Sequence, residues 1–334
     1  WEENRSTGKP LFAYNLTYQG HGPYDADVTW WGDDYVTGGD YTDAERNILN
    51  NYFGSIYDTN QHLTEFFDYY RQAEEPVVIV LFGDHKPWLG DGNSVYETLG
   101  INLDFSTEEG FYHYYATRYL IWANDAAKDV LGNNFTGEGP DLGPYFLMNQ
   151  VFRLCGFPYC FLHNYNLYPV EKPDGYQKTQ VETLIDQDAQ HYVQPKVQPN
   201  ILFLMCESYS DLSDADVFAY TEEDDPMHGF HVLADSPRAR SGHIAVSNFG
   251  AGTANTEFDV LTGIQTNMIS TTNISAFRVV HKAVNALPWD YQQAGYSTLF
   301  MHPGYSWFYN RDSVYQFLGM EERIFNENYT QADQ

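Results

Sequence analysis

Short apolar runs rich in β-branched and aromatic residues alternate along this chain with longer segments of helical periodicity. The runs are PLFAYNLT, PVVIVLFG, ATRYLIWA, NILFLMC and YSTLFMH, at residues 10–17, 76–83, 116–123, 200–206 and 296–302. Helical periodicity covers residues 42–70 and 142–154, and a shorter segment at 290–294 ends at Gly295. Strands that alternate with helices usually form a parallel sheet with helices on both faces. The pattern therefore predicts an α/β fold with a mostly parallel sheet sandwiched by helices.

The charge of the chain limits its partners. Acidic residues outnumber basic ones by 46 to 17, which gives a net charge of −29. Such a charge argues against binding to nucleic acid and against electrostatic docking on anionic lipid. An anionic substrate would need a metal ion or a local arginine.

The sequence contains no run of 18 apolar residues, and its first residues, WEENRSTGKP, do not resemble a signal peptide. The chain as given is therefore expected to be soluble, whether or not it is cut from a larger protein.

The three cysteines indicate little chemistry. Cys206 lies inside an apolar run, where a small buried hydrophobic residue is expected. Cys155 and Cys160 flank GFPY and could form a disulfide in an oxidising compartment. Their spacing alone does not set the required geometry, so this pairing stays open.

Chemically capable side chains follow four of the predicted strands. Glu207 follows NILFLMC, Asp84 and His85 follow PVVIVLFG, His302 follows YSTLFM, and His21 lies in the segment after PLFAYNLT. Sites in open α/β sheets form in the crevice beyond the carboxyl ends of the strands. We therefore expect the strands at 76–83 and 200–206 to be parallel neighbours with their ends facing one site.

Two carboxylates and one imidazole form a candidate metal site. Glu207, Asp84 and His85 supply ligands that suit Mn²⁺, Mg²⁺ or Zn²⁺. Taken alone, Glu207 would more often be a solvated carboxylate at a strand end, and GDH is a weak motif. The prediction of a metal site therefore depends on the convergence of these residues.

The stretch SNFGAGTANTEF centres on Thr253. A threonine hydroxyl is a poor nucleophile at neutral pH, and a divalent cation lowers its pKa. The glycines allow backbone to approach an anion, and a helix beginning at 254–257 would point its N-terminal amides at the same place. The plainer alternative is a capping threonine in a glycine-rich turn.

The segment MHPGYSWFYNRD combines His302, several aromatic rings and Arg311. Arginine presents a planar fork of donors to a phosphate, which would counter the negative charge of an anionic substrate. The alternative is a surface ion pair between Arg311 and Asp312.

Five segments resemble the lipoteichoic acid synthase type of phosphoglycerol transferase, within the sulfatase and alkaline phosphatase superfamily. They are GAGTANTEFDVLTG, YSTLFMHPGYSWFYNRDSVYQFLG, KPLFAYNLTYQGHGPY, VVIVLFGDHKPWL and PNILFLMCESYSDL. The resemblance implies an alkaline phosphatase/sulfatase-like fold with a small C-terminal-type subdomain. The motif positions imply a nucleophile, Thr253; metal ligands, Glu207, Asp84, His85 and Thr253; and contacts to the phosphoglycerol group, His21, His302, Arg311 and Tyr309. Tyr309 stands where the synthases often carry tryptophan.

The order of the motifs departs from that family. Residues 8–165 carry the motifs of the family's C-terminal half, and residues 199–334 carry those of its N-terminal half. The polar, turn-rich stretch between them, 166–198, is expected to be a connector. The sequence therefore predicts one catalytic domain over residues 1–334 in circularly permuted order.

The resemblance implies a metal-dependent transferase, with Mn²⁺ as the expected cofactor and Mg²⁺ or Zn²⁺ as alternatives. Thr253 would attack a phosphatidylglycerol-like lipid and expel diacylglycerol, and an acceptor hydroxyl would resolve the phosphothreonine-type intermediate. His21 is the expected proton-transfer group. The implied acceptor is a glycerophosphate polymer, as in lipoteichoic acid synthesis, or a glycolipid. The implied location is membrane-proximal, in the extracellular ectodomain of a membrane-anchored protein at the bacterial cell surface.

Two rival functions stay open at this point. The first is a phosphodiester hydrolase or sulfatase of the same superfamily, in which water resolves the intermediate. A sulfatase of the main type would need Cys or Ser in a C/S-x-P-x-R context, and GAGTANTEF has neither the proline nor the arginine. The second rival is a non-catalytic module that binds a wall polymer.

Overall fold

One mixed sheet forms the centre of the computed structural model, which describes residues 1–31, 35–155, 197–215, 217–218, 220–221, 224–268 and 275–328. Its eight strands are arranged in the order β4-β6-β3-β2-β5-β1-β7-β8. Their bounds are β1 Leu11–Leu16, β2 Val77–Gly83, β3 Ala116–Ala123, β4 Gly137–Glu138, β5 Asn200–Cys206, β6 Ala239–Ala245, β7 Ser297–Met301 and β8 Glu322–Ile324.

The central strands are parallel, as the sequence predicts. β5 lies between β2 and β1, and β1 pairs with β7. The register of β2 with β5 runs from Val77 opposite Asn200 to Gly83 opposite Cys206. The expectation that these two strands are neighbours is confirmed. Strands from the first and second parts of the chain are therefore interleaved within one sheet.

Helices cover both faces of the sheet. Their bounds are α1 Glu2–Arg5, α2 Asp43–Arg71, α3 Ser94–Thr98, α4 Glu108–Tyr115, α5 Asp125–Leu131, α6 Pro144–Cys155, α7 His228–Ala234, α8 Thr253–Thr262, α9 Leu287–Gln293 and α10 Arg311–Leu318. Short 3₁₀ turns lie at Asp91–Asn93, Leu212–Ala215, Thr266–Met268, Ala276–Val279, Phe308–Asn310 and Asn326–Asn328.

The longest helix, α2, begins at a capping box. The Thr42 hydroxyl accepts a hydrogen bond from the Glu45 amide, and the Glu45 carboxylate accepts one from the Thr42 amide. Two of the unpaired amides at the helix start are satisfied in this way. One stripe of α2, which includes Leu49, Phe53 and Leu63, is buried against the sheet.

Alternate side chains of the strands build two cores, one on each face. Phe12, Val80 and Phe203 point to the face covered by α6, α8, α9 and α10. Leu11 and Ile79 point to the opposite face, which α2 and α7 cover. The strands that carry the candidate site are therefore buried on both sides, which explains their continuous apolar sequences.

Some elements differ from the sequence expectations. The run at 116–123 is a strand, but β3 is antiparallel to both β2 and β6. β6, with the sequence ARSGHIA, was not predicted, because only part of each of its faces is buried and its apolar pattern is weak. Cys206 is buried, as expected. Cys155 is also buried, while Cys160 and most of the connector at 166–198 lie outside the described residues.

Within the described part of the chain, none of the helices combines the length and the apolar character needed to span a bilayer.

Candidate active site

Two adjacent strands bring the candidate metal ligands together. Gly83 lies opposite Cys206 at the ends of β2 and β5, so Asp84, His85 and Glu207 follow at the same edge of the sheet. One ligand atom from each of the three lies within 4.8 Å of the others, and all three side chains are buried. The convergence that the metal hypothesis required is therefore present.

Hydrogen bonds to the backbone orient Asp84 and His85 towards Glu207. Asp84 Oδ1 accepts hydrogen bonds from the backbone amides of His85 and Ser208, each at 2.8 Å. His85 Nδ1 lies 2.9 Å from the Lys86 carbonyl oxygen, so an Nδ1–H donates there and Nε2 turns towards the carboxylates. His85 Nε2 lies 3.2 Å from both Asp84 Oδ2 and Glu207 Oε1, and all three side chains are buried. A divalent cation fits this set of atoms, because it would bind two carboxylate oxygens and an imidazole nitrogen that face one another.

Burial and the closeness of the three charged groups shift the pKa values of all three candidate ligands. Burial raises the pKa of Asp84 to about 7, and the nearby Glu207 carboxylate adds to the effect. Burial opposes ionisation of Glu207 as well, but its hydrogen bond and charge interaction with His85 hold its pKa below the usual value. Burial alone would lower the pKa of His85, yet the two carboxylates raise it to about 9. A bound cation would replace that proton as the counter-charge.

Thr253 begins α8 directly beside these ligands. Gly252 precedes it with a φ of 95°, a left-handed conformation that glycine adopts without strain. The Thr253 hydroxyl donates to Glu207 Oε2 at 3.2 Å. One turn later, Thr256 Oγ1 donates to the Asp84 carbonyl oxygen at 2.8 Å, which fixes the helix start against the ligand loop. The hydroxyl of Thr253 is therefore used at the ligand cluster rather than as a helix cap.

Arg311 is almost completely buried at the start of α10. Its Nη2 lies 2.7 Å from Glu257 Oε1, and its Nε lies 3.2 Å from Glu257 Oε2. Tyr315 donates to the same carboxylate at 2.5 Å. Arg311 Nη1 is buried without a partner. Asp312 pairs with Arg323 at 2.8 Å, so the alternative of a surface pair between Arg311 and Asp312 is wrong.

His302 and Tyr309 lie near Arg311. His302 is 3% exposed, and burial followed by the charge of Arg311 lowers its pKa to about 4, which leaves the ring neutral at neutral pH. Its Nδ1 has no hydrogen-bond partner. The Tyr309 ring lies 5.0 Å from the guanidinium carbon of Arg311, within cation–π distance.

His21 is exposed at the edge of the site. Its ring stacks on Tyr18 with centroids 4.8 Å apart, and its Nδ1 contacts the Gly22 carbonyl oxygen. An exposed imidazole at this edge has access to both a bound ester and solvent.

One cavity of about 620 Å³ connects these groups. The predicted site residues that line it are Thr253, Glu207, His85, His21, His302, Tyr309 and Arg311. Asp84, the third residue of the ligand cluster, is fully buried and does not line the cavity.

Sequence reasoning missed the residues that support the site. Glu257 follows Thr253 by four residues, so both lie on one face of α8. That spacing is the signal that could have pointed to Glu257 as an inward-facing carboxylate. Nothing in the sequence pairs it with Arg311 and Tyr315, because these residues follow more than fifty positions later.

The comparison with protein families agrees with this geometry. The sequence model of the sulfatase family matches residues 2–157 and 199–334, which is most of the chain. The chain belongs to the sulfatase family. The eight-stranded α/β architecture is consistent with the sulfatase-like alkaline phosphatase fold, and enzymes of this family are transferases and hydrolases that typically depend on divalent metal ions. The finer likeness to lipoteichoic acid synthases stays a prediction.

The sulfatase-family chain is also similar to a protein of Rhizobium meliloti (strain 1021) named "Putative cyclic beta-1,2-glucan modification protein". The two are 28% identical over 151 residues, which cover 44% of this chain and 22% of the relative. No solved structure is similar enough to the chain to count as a match.

Proposed function

We propose that this sulfatase-family chain transfers phosphoglycerol from a phosphatidylglycerol-like lipid to an acceptor hydroxyl. The observation that carries the proposal is the position of Thr253. Its hydroxyl lies 3.2 Å from Glu207, beside a three-residue ligand cluster, in the cavity that Arg311 also lines. A nucleophile, a cation site and a phosphate-binding arginine are the groups that phosphoryl transfer requires.

The cation site would be formed by Asp84, His85, Glu207 and Thr253, and Mn²⁺ is the proposed ion. When bound, such an ion supplies a Lewis acid that favours the alkoxide form of the threonine and neutralises phosphate charge. The Glu207 carboxylate, which accepts the Thr253 hydrogen bond, holds the hydroxyl in position.

The first chemical step expels diacylglycerol. Thr253 Oγ1 forms a bond to phosphorus while the bond from phosphorus to the glycerol oxygen of diacylglycerol breaks. We assign to His21 the delivery of a proton to that leaving oxygen, since it lines the cavity at its exposed edge. Arg311 Nη1, which has no protein partner, is directed to a phosphate oxygen, and neutral His302 offers a hydrogen bond to the same group.

The second step transfers the group to the acceptor. An acceptor hydroxyl attacks the phosphorus, the bond to Thr253 Oγ1 breaks, and His21 takes the acceptor's proton. The proposed acceptors are a glycerophosphate polymer or a glycolipid. The name of the rhizobial relative adds a glucan to these candidates. We place the reaction in an extracellular, membrane-proximal ectodomain at the bacterial cell surface, where such lipids and polymers meet.

Hydrolysis is the rival outcome, because water can attack the same intermediate. A sulfatase of the main type is disfavoured, since Thr253 stands without the proline and arginine that accompany its nucleophile. A binding module without turnover is disfavoured by the completeness of the site, in which the nucleophile, the ligand cluster and Arg311 all line or adjoin one cavity.

The test is incubation of the purified chain with Mn²⁺ and a fluorescent phosphatidylglycerol. We expect release of fluorescent diacylglycerol and, by intact-mass analysis, a phosphoglycerol adduct that peptide mapping places on Thr253. Thr253→Ala should abolish both while retaining the fold, because one hydroxyl contributes little to a core of this size. Thr253→Ser, which retains a hydroxyl, is the matched control and should still form the adduct. Diacylglycerol release by Thr253→Ala at the wild-type rate would exclude Thr253 as the nucleophile.

A further inference from the structure

Exposed aromatic side chains surround the mouth of the active-site cavity. All of them line the cavity itself, and their side chains are between 45% and 69% exposed. They are Tyr18, Trp88, Tyr305, Trp307 and Phe308, and together they form the aromatic rim. Groups of exposed apolar side chains on a soluble protein often mark a binding site.

The loop after β7 presents two of these rings in a fixed arrangement. The Tyr305 and Trp307 rings are nearly parallel, with an interplanar angle of 19° and centroids 6.0 Å apart. Between them, the Ser306 amide and hydroxyl both donate to Glu327 Oε1, at 3.1 and 3.0 Å. The Asn310 amide also donates to the Trp307 carbonyl oxygen at 2.9 Å. Hydrogen bonds at the base of the loop, rather than burial of the rings, therefore hold this arrangement.

Trp88 lies on the nucleophile side of the cavity. It follows the His85 segment, and the Gly250 amide donates to the Lys86 carbonyl oxygen at 3.0 Å. A Cβ atom at Gly250 would approach the Trp88 ring to 2.6 Å, so the indole packs directly on the glycine backbone. Trp88 therefore contacts the Gly-rich loop at Gly250, three residues before Thr253, the proposed nucleophile.

We propose that this aromatic rim is the acceptor subsite and binds the pyranose rings of a neutral saccharide. The inference rests on the proposed function, since it names the substrate class that resolves the phosphothreonine. A sugar ring presents C–H groups on its faces and hydroxyls at its edge. Flat, amphipathic Trp and Tyr rings match its faces, and they lose little conformational entropy on binding.

Charge favours a neutral saccharide over an anionic lipid surface at this rim. A hydrogen bond from its own backbone amide and the hydrogen bonds from Ser306 hold the pKa of Glu327 below its usual value, so a negative charge lies at the base of the Trp307 loop. The whole chain carries a net charge of −29. Both features disfavour contact of the rim itself with an anionic lipid surface, and they do not oppose the binding of an uncharged glucan. The relative named for cyclic glucan modification agrees with this choice.

The test is calorimetric binding of a β-1,2-glucan oligosaccharide to the Mn²⁺-loaded chain, without lipid donor. We expect Trp307→Ala to weaken binding at least tenfold and Trp307→Phe to retain most of it, because the phenyl ring keeps a flat face. Trp30 is 72% exposed and does not line the cavity, so Trp30→Ala is the matched control and should bind as the wild type does. Equal oligosaccharide affinity in wild type and Trp307→Ala, or no binding to the wild type, would overturn the assignment.

A parallel titration with phosphatidylcholine vesicles, with and without phosphatidylglycerol, examines the lipid alternative. If Trp307→Ala loses vesicle binding while oligosaccharide binding is unchanged, the rim is a membrane contact and the proposal is wrong. Failure of the proposed function gives a different result. The wild type would then release no diacylglycerol and form no adduct on Thr253, whatever its affinity for the oligosaccharide.

Discussion

Arg311 and Glu257 form a buried, fork-like ion pair, with Nη2 2.7 Å from Oε1 and Nε 3.2 Å from Oε2. Glu257 lies one helical turn after Thr253 in α8, so the helix that carries the proposed nucleophile also pairs with the arginine. The pair uses two of the three guanidinium nitrogens of Arg311, which lines the cavity, and Nη1 is buried without a hydrogen-bond partner. Glu257 is therefore a positioning residue for the group proposed to bind phosphate.

Arg311→Lys should lower kcat/KM for the phosphatidylglycerol-like donor by about tenfold to a hundredfold. Lysine keeps the positive charge next to Glu257, but its single nitrogen cannot form the two-point contact with the carboxylate and also offer a second nitrogen to a phosphate oxygen. A charged hydrogen bond contributes about 1.5–3 kcal/mol. Steady-state diacylglycerol release measures the change. Arg323→Lys, at the partly exposed partner of Asp312, is the matched control and should keep the wild-type kcat/KM. An unchanged value in Arg311→Lys would make Arg311 a structural residue only.

Arg311→Ala should reduce stability as well as activity, because it leaves the Glu257 carboxylate buried without its counter-charge. Removal of one partner from a buried ion pair costs about 3–5 kcal/mol. Replacement of both partners, as in Arg311→Met with Glu257→Leu, should restore much of that loss, since apolar side chains can fill the same space. Urea unfolding of the single and double variants tests this coupling. If the double variant is less stable than Arg311→Ala, the ion pair is not the source of the effect.

Removal of divalent metal should destabilise the fold. A ligand that binds only the native state stabilises it by about 2.7 kcal/mol at a hundredfold excess over its Kd, so Mn²⁺ should raise the melting temperature of the chelator-treated chain by several degrees. Asp84→Asn should abolish this rise, because it removes an anionic ligand from the cluster. Asp312→Asn changes an exposed carboxylate and should retain it. A full Mn²⁺-dependent rise in Asp84→Asn would contradict the assignment of the site.

The sequence predicted the parts of the site that follow strands, because the ends of parallel strands meet at one edge of the sheet. Two uninterrupted apolar runs predicted β2 and β5 as buried neighbours, and the observed register between them places Asp84 beside Glu207. The antiparallel direction of β3 was not predictable in the same way. ATRYLIWA is as apolar as the parallel strands, and strand direction depends on connections that composition does not specify.

Side-chain partners were the least predictable part. Arg311 and Asp312 are adjacent in sequence, yet one points into the core to Glu257 and the other to Arg323 at the surface. Neighbouring helical positions diverge by about 100° around the axis, so adjacency says little about pairing. The aromatic rim was equally hard to predict from the sequence. Trp307 is exposed and Tyr315 in the same segment is buried, and this difference depends on tertiary packing.

A carboxylate–histidine–carboxylate cluster away from the active site should make stability pH-dependent. His231 on α7 lies 2.9 Å from Asp211 and 2.7 Å from Asp225, and hydrogen bonds to these two carboxylates raise the pKa of His231 to about 10 from 6.5. A raised pKa means that the stabilisation is fully present below pH 6.5 and is lost as the pH rises towards 10. Because His231 is about one third exposed, solvent screening limits the effect to about 1–2 kcal/mol.

Urea unfolding of the wild type between pH 6.5 and 10 should therefore show a decline in stability that His231→Gln reduces. Glutamine can still hydrogen-bond to Asp211 or Asp225 but carries no titrating charge, so the variant separates the charge of the imidazolium from its packing. His62 lies on α2 with a side chain that is 72% exposed, and His62→Gln should leave the wild-type decline unchanged. The decisive quantity is the difference in slope between the two variants over this pH range. Equal slopes for His231→Gln and His62→Gln would show that the cluster contributes no pH-dependent stability.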